Sequence, residues 1–228
     1  MTPDTGGADG RAAGVLDGAR RQFDRWSQTY DRSWLNELVF FPSIRFCFEQ
    51  ILTWQAARSE RRFDALDVGC GTGTFLMELS RIEGAGRLAG LDYSPEMVRR
   101  AQEKAASSGL GERVQFATGD AETPPFPDGS FDVLTCANSF HHYPNQPAVV
   151  AAFRRVLRPG GLLVIIDGFR DNVVGWVIFD VAVATAERNV HHASWSEMRR
   201  HCQAAGFSDI RQEKRNVLAP LLVTAARS

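Results

Sequence analysis

The chain has no surplus of positive charge: 26 Lys and Arg stand against 27 Asp and Glu, a net charge of −1. Neutralising a phosphate backbone needs a basic face, so nucleic acid is a poor first candidate for the substrate. Two local basic runs, Arg58-Ser-Glu-Arg-Arg62 and Arg211-Gln-Glu-Lys-Arg215, each contain a Glu and read as solvated surface. Cysteine is scarce, with four residues at 47, 70, 136 and 202 and no Cys-x-x-Cys. They read as reduced, buried thiols of a cytoplasmic protein. Long apolar runs are also missing. The longest, Val173 to Ala186, is interrupted by Asp180 and too short to span a bilayer, so it reads as a cap element or a buried helix. Residues 1–18 lack a basic start followed by an apolar run, so no signal peptide is expected; rich in Gly, Ala and Asp, they read as a disordered tail.

What the chain does have is Leu66-Asp67-Val68-Gly69-Cys70-Gly71-Thr72-Gly73-Thr74-Phe75, an apolar strand that breaks into a glycine loop and enters a helix. Backbone that approaches a ligand closely needs residues without a Cβ. A second strand, Arg87-Leu-Ala-Gly-Leu91, ends in Asp92, the distance at which a doubly wound sheet places a ribose-binding acid. The two signals together point to a nucleoside-bearing cofactor. The dinucleotide fingerprint would need its third glycine at position 74, which is Thr, and a phosphate-binding loop would need a Lys after the glycines, which is absent.

The rest of the chain alternates. Strands are predicted at 63–68, 87–91, 114–117, 131–136 and 162–166, with helices at about 73–82, 94–107 and 146–157. Ser94-Pro95-Glu96 and the Ser194-Trp-Ser-Glu197 box mark helix starts, and Gly206 marks a helix end. Near-continuous apolar strands separated by helices imply a parallel sheet covered on both faces: an α/β, doubly wound fold. Residues 19–58 form an aromatic-rich helical cap, with Ile44, Phe48, Ile51 and Leu52 on one face of its last helix. Residues 63–228 form the core, with a helical insertion at about 168–192 and two final strands at 207–213 and 217–225.

The order of motifs resembles the class I S-adenosylmethionine-dependent methyltransferases, and within them the ubiquinone/menaquinone-type and small-molecule subgroup. The resemblance runs from residue 63 to the C-terminus. It rests on Asp67-x-Gly69-x-Gly71-x-Gly73, on Asp92, on Gly119-Asp120-Ala121-Glu122, on Ala137-Asn-Ser-Phe-His-His-Tyr143 and on Leu157-Arg-Pro-Gly-Gly161. It implies a Rossmann-like seven-stranded sheet of order 3-2-1-4-5-7-6 with strand seven antiparallel. It implies S-adenosylmethionine as cofactor and S-adenosylhomocysteine as product. Asp92 would take the ribose hydroxyls. Asp120 would take the adenine amino group, with Ala121 beside the ring. Asp67, Gly69, Gly71, Gly73, Tyr93 and Asn138 would complete the site. Tyr30, in a Tyr-Asp pair, resembles members whose N-terminal helix closes over the cofactor.

Methyl transfer from a sulfonium needs alignment more than covalent help. A base is needed only where the nucleophile loses a proton; His142, then His141, are the candidates. No metal is expected, because no carboxylate sits at ligand spacing on a helix face with His141, His142, His191 or His192. The apolar stretches at 34–52 and 173–186 suggest a small, apolar or lipid-like acceptor. A protein or RNA methyltransferase and a non-catalytic cofactor-binding module are the alternatives.

Overall fold

A computed structural model describes residues 41–168, 191–215 and 221–228. The first described helix, α1 (Phe41–Ala56), leads into β1 (Phe63–Val68), α2 (Thr74–Leu79), β2 (Ala85–Asp92), α3 (Pro95–Ser107) and β3 (Val114–Thr118). Then follow β4 (Phe131–Ala137), a 3-10 turn (Phe140–His142), α4 (Gln146–Val156), β5 (Leu157–Gly168), α5 (Trp195–Ala204), β6 (Ser208–Arg215) and β7 (Leu221–Arg227). The seven strands form one sheet of order β3-β2-β1-β4-β5-β7-β6, with β7 antiparallel to both neighbours. This is the order that the resemblance implied.

Two apolar layers explain why the strands read as near-continuous hydrophobic runs. Leu66, Leu91, Leu134 and Ile165 face one layer, closed by Val149 and Phe153 of α4. Ala65, Leu88, Val133 and Val164 face the other, closed by α1 through Ile44, Cys47, Ile51 and Trp54. Alternate residues of each strand are therefore buried on opposite sides. The apolar stripe of α1 differs from the expected one. Leu52 is 44% exposed, while Trp54 is 2% exposed and donates its indole N–H to the Gly160 carbonyl at 3.3 Å. Cys47, Ile51 and Trp54, spaced by four and three residues, make the contact face, which turns Leu52 outward.

Local signals set the helix ends. Ser94 accepts from the Met97 N–H at 3.3 Å, with Pro95 at the first helical position. The Ser194–Glu197 capping box makes both of its bonds, at 3.3 and 2.8 Å. Several boundaries move. β5 begins at Leu157, because Leu157 pairs with Phe131 before a register shift, so the Pro159-Gly160 segment belongs to the strand. α2 is shorter than predicted, ending at Leu79. β6 runs on through Arg215, so Lys214 and Arg215, expected at the turn, belong to the strand; β7 starts at Leu221, and residues 216–220 lie outside the described residues. All four cysteines are buried and unbridged. Residues 1–40, with the tail, the first part of the cap and Tyr30, lie outside the described residues, as does most of the expected insertion, 169–190.

Candidate functional site

The order of the sheet reverses between β1 and β4, the place where an open α/β sheet leaves a crevice at its carboxyl edge. The glycine loop leaves β1 at this point. Its amides at Gly69 and Cys70 donate to the Leu91 carbonyl at 2.8 and 3.1 Å, which ties the loop to the end of β2. Gly69, Gly71 and Gly73 all have positive φ, at 73°, 52° and 74°. The reasons for glycine differ along the loop. A Cβ on Gly69 would lie 2.2 Å from the Ser139 Oγ, and one on Gly73 would lie 2.5 Å from the Phe116 ring. A Cβ on Gly71 would meet nothing within 4 Å. Protein packing therefore requires glycine at 69 and 73. At 71 the space beside the backbone is open.

Asp92 sits at the end of β2 and organises the same loop. Its Oδ2 accepts from the Gly71 N–H at 2.8 Å and its Oδ1 from the Ser94 N–H at 2.9 Å. One carboxylate thus fixes both the glycine loop and the start of α3. A carboxylate of this kind is also the group that a ribose diol would need. A small pocket opens here, lined by Gly69, Asp92, Tyr93, Asp120, Ala121 and Tyr143. Asp120 is held by an Asx turn, its Oδ1 accepting from the Glu122 N–H at 2.9 Å. Five of the residues expected at a cofactor site are therefore brought to one place.

Asp67 is placed differently. Its side chain is buried and accepts the Thr135 hydroxyl across the β1–β4 pair at 2.6 Å. Burial, with a further contribution from the Asp92 charge, pushes its carboxyl up to about 7, against the Thr135 bond, which lowers it. Asn138 ends β4 in a left-handed conformation, φ 56°. Its N–H donates to Ile166 at 2.8 Å and its Oδ1 accepts from Ser43 of α1 at 3.2 Å. Its buried Nδ2 has no hydrogen-bond partner among the described residues. Such a donor is costly unless a ligand takes it.

The two histidines of the β4 loop separate. His141 is buried; its Nδ1 lies 2.6 Å from the Asp167 Oδ1, and its backbone N–H donates to Oδ2 at 2.6 Å. Burial alone would push the Asp167 carboxyl up, but His141 and then His192 hold it well below the usual carboxylate range. The His142 ring lies 4.0 Å from that of His141 between centroids, tilted by 53°, and burial followed by the charge of His141 holds its pKa well below the imidazole range. Ser139, Tyr143 and Asp167 were not singled out from the sequence, and His192 was weighed there only as a metal ligand lacking a carboxylate at ligand spacing. Ser139 and Tyr143 stood in the quoted loop motif, and an acid at the end of the apolar run 162–166 was the available signal for Asp167. No helix among the described residues is long and apolar enough to cross a membrane.

Comparisons with known proteins bear on the fold and the family. Residues 65–161 match the family described as a methyltransferase domain. A demethylmenaquinone methyltransferase of Listeria monocytogenes serotype 4a (strain HCC23) is 33% identical over 156 residues, covering 68% of this chain and 63% of the relative. One of Staphylococcus aureus (strain MRSA252) is 34% identical over 148 residues, covering 64% and 58%. The chain thus spans 58–63% of the length of these two curated relatives. A solved S-adenosylmethionine-dependent methyltransferase from Aquifex aeolicus superposes with a TM-score of 0.64 at 22% identity, covering 89% of this chain and 97% of that one.

Proposed function

Because the chain carries a class I S-adenosylmethionine-dependent methyltransferase domain, we propose that it transfers a methyl group to a small, apolar, quinone-like acceptor. The observation that carries the cofactor half of this reading is the pairing of Asp92 with the open backbone at Gly71. A carboxylate bonded to the loop amide stands beside the one glycine of the three where a Cβ meets no neighbour. In this reading Asp92 takes the ribose hydroxyls, Asp120 and Ala121 take the adenine, and Tyr93 and Tyr143 close the pocket. Gly69 and Gly73 serve the loop conformation, and Asp67 supports the loop from β1 rather than touching the ligand. The Asn138 Nδ2 is the donor for a ligand oxygen at the end of β4.

The acceptor half rests on the relatives, which are named for demethylmenaquinone methylation. The reaction is an in-line displacement at the sulfonium methyl, so positioning supplies much of the rate. His142 is the base candidate. It is neutral at pH 7, the state a base must start from, but its lowered pKa makes it a weak one. The protein acts on the cytoplasmic side and needs no nucleic acid. Titration calorimetry with S-adenosylhomocysteine tests the first half. Transfer of labelled methyl from S-adenosylmethionine to a short-chain demethylmenaquinol, against amine and peptide panels, tests the second. Tight cofactor binding with label only on peptide would overturn the acceptor assignment and leave the cofactor site standing.

A further inference from the structure

We propose that His141, Asp167 and His192 form a binding site for one divalent transition-metal ion. Two imidazoles and one carboxylate arrive from three separate segments: the 3-10 turn after β4, the end of β5, and the residues that precede α5. Their ligand atoms all lie within 4.8 Å of one another, and all three residues are buried, at 8, 4 and 2% exposure. The donor set of two nitrogens and one oxygen suits Zn²⁺, Co²⁺, Ni²⁺ or Fe²⁺. It does not suit Ca²⁺ or Mg²⁺, which take oxygen shells.

The distances bracket those of a bound ion. Metal bonds of about 2.0–2.1 Å put neighbouring ligand atoms about 3.0–3.4 Å apart. The Asp167 Oδ1 is 2.6 Å from the His141 Nδ1 and 3.6 Å from the His192 Nδ1. The shorter separation is a hydrogen bond, so a proton now holds the place of the ion. Small ring rotations would admit the metal, which takes the place of the His141 Nδ1 proton and releases it to solvent. The imidazole rings of His141 and His192 already lie close, 4.6 Å between centroids and tilted by 38°.

The frame around these ligands is fixed independently of them. The His191 N–H donates to the His141 carbonyl at 2.8 Å, which locks the two histidine-bearing segments together by their backbones. The buried Gln146 spans the same junction, its Nε2 donating to the His191 carbonyl at 2.7 Å and to the Phe140 carbonyl at 3.4 Å. The carboxylate is oriented by the His141 N–H on Oδ2 and by the Gly168 N–H on Oδ1 at 2.7 Å. Outer bonds of this kind are what hold metal ligands at their geometry. The negative charge of Asp167, buried beside imidazoles, gives a cation its electrostatic reason to enter. The site lies on the loop that also carries Ser139 and Tyr143, and so beside the cofactor pocket.

The test is a Co²⁺ titration of the full chain after treatment with a chelator, followed by visible absorption and by calorimetry. One Co²⁺ per chain with d–d bands, displaced by Zn²⁺, is expected. His192→Ala and Asp167→Asn each remove a direct ligand and should weaken Co²⁺ binding by at least about 100-fold, more than the loss of an outer partner. In the same samples S-adenosylhomocysteine binding reports both folding and the cofactor site, so the metal proposal and the methyltransferase reading fail separately. Wild-type protein that takes up no Co²⁺ at micromolar concentration overturns the proposal without recourse to variants. So does uptake that neither substitution changes, since the ion would then sit elsewhere. Proton NMR gives a second reading on the wild type. The strongly hydrogen-bonded Nδ1–H of His141 should resonate far downfield, and stoichiometric Zn²⁺ should remove it; a resonance that persists at saturating Zn²⁺ counts against the site.

Discussion

Gly71→Ala separates folding from binding more sharply than any other change in the glycine loop. The backbone there has φ 52°, so an alanine is forced into the left-handed region. That conformation costs about 1–2 kcal/mol for a residue with a Cβ. For a chain of this size the loss corresponds to a fall of about 2–8 °C in melting temperature. No further steric cost arises, because the added methyl meets no atom within 4 Å. The open space it enters is where the cofactor is proposed to lie, against the amide that Asp92 holds at 2.8 Å. A ligand seated on that backbone would be pushed off its hydrogen bonds to the carboxylate. Losing one charge-assisted bond costs about 1.5–3 kcal/mol, or roughly a 10–150-fold weaker Kd. Gly69→Ala is the control. Its Cβ would lie 2.2 Å from the Ser139 Oγ, inside the protein, so it should lose more stability than Gly71→Ala. The assay is paired thermal melts and calorimetry with S-adenosylhomocysteine. A Gly71→Ala protein that binds within about threefold of wild type would refute the placement of the ligand on this loop.

Three other outcomes follow from named contacts. Asp92→Asn replaces one of two acceptor oxygens with a donor that faces a backbone N–H, at Gly71 or Ser94; it should weaken S-adenosylhomocysteine binding at least tenfold and lower the melting temperature, both read in the same experiments. The Asp67 carboxyl is raised on folding from 3.8 to about 7, so the folded state holds its proton where the unfolded chain has released it. That contribution is complete below pH ~4 and lost as pH rises towards ~7, a difference on the order of 2–4 kcal/mol; Asp67→Asn should flatten the decline in denaturation curves and be the more stable protein at pH ~8. Ser194→Ala removes one half of a capping box whose two bonds measure 3.3 and 2.8 Å, and should cost about 1 kcal/mol of stability with cofactor affinity unchanged.

The cofactor half of the site was legible because it is local. Three glycines, an acid after the second strand and an Asp-Ala pair after the third each sit where a strand of a parallel sheet ends, and parallel crossovers bring those ends together whatever lies between them. Asp120, Ala121 and Tyr93 came from the family resemblance, and all three line the pocket. Leu52 was misplaced because a helical stripe can be drawn at several phases when apolar residues are dense; the surface that α1 meets selected Trp54 and Cys47 instead. The expected roles of Tyr30 and of the 168–192 insertion fall mainly outside the described residues.

By itself, then, the amino-acid sequence determined the order of elements, the parallel character of the sheet and the residues that line the pocket at the ends of β2 and β3. Periodicity, capping residues and glycine conformations act over a few residues, and a single chain displays them. Only the tertiary structure decided which polar groups meet across strands. It set Asp67 against Thr135, gave Gly69 a steric reason in Ser139, and gathered His141, Asp167 and His192 around one carboxylate. Those partners depend on strand register and on which side chains share a buried space, and sequence separation carries no trace of either.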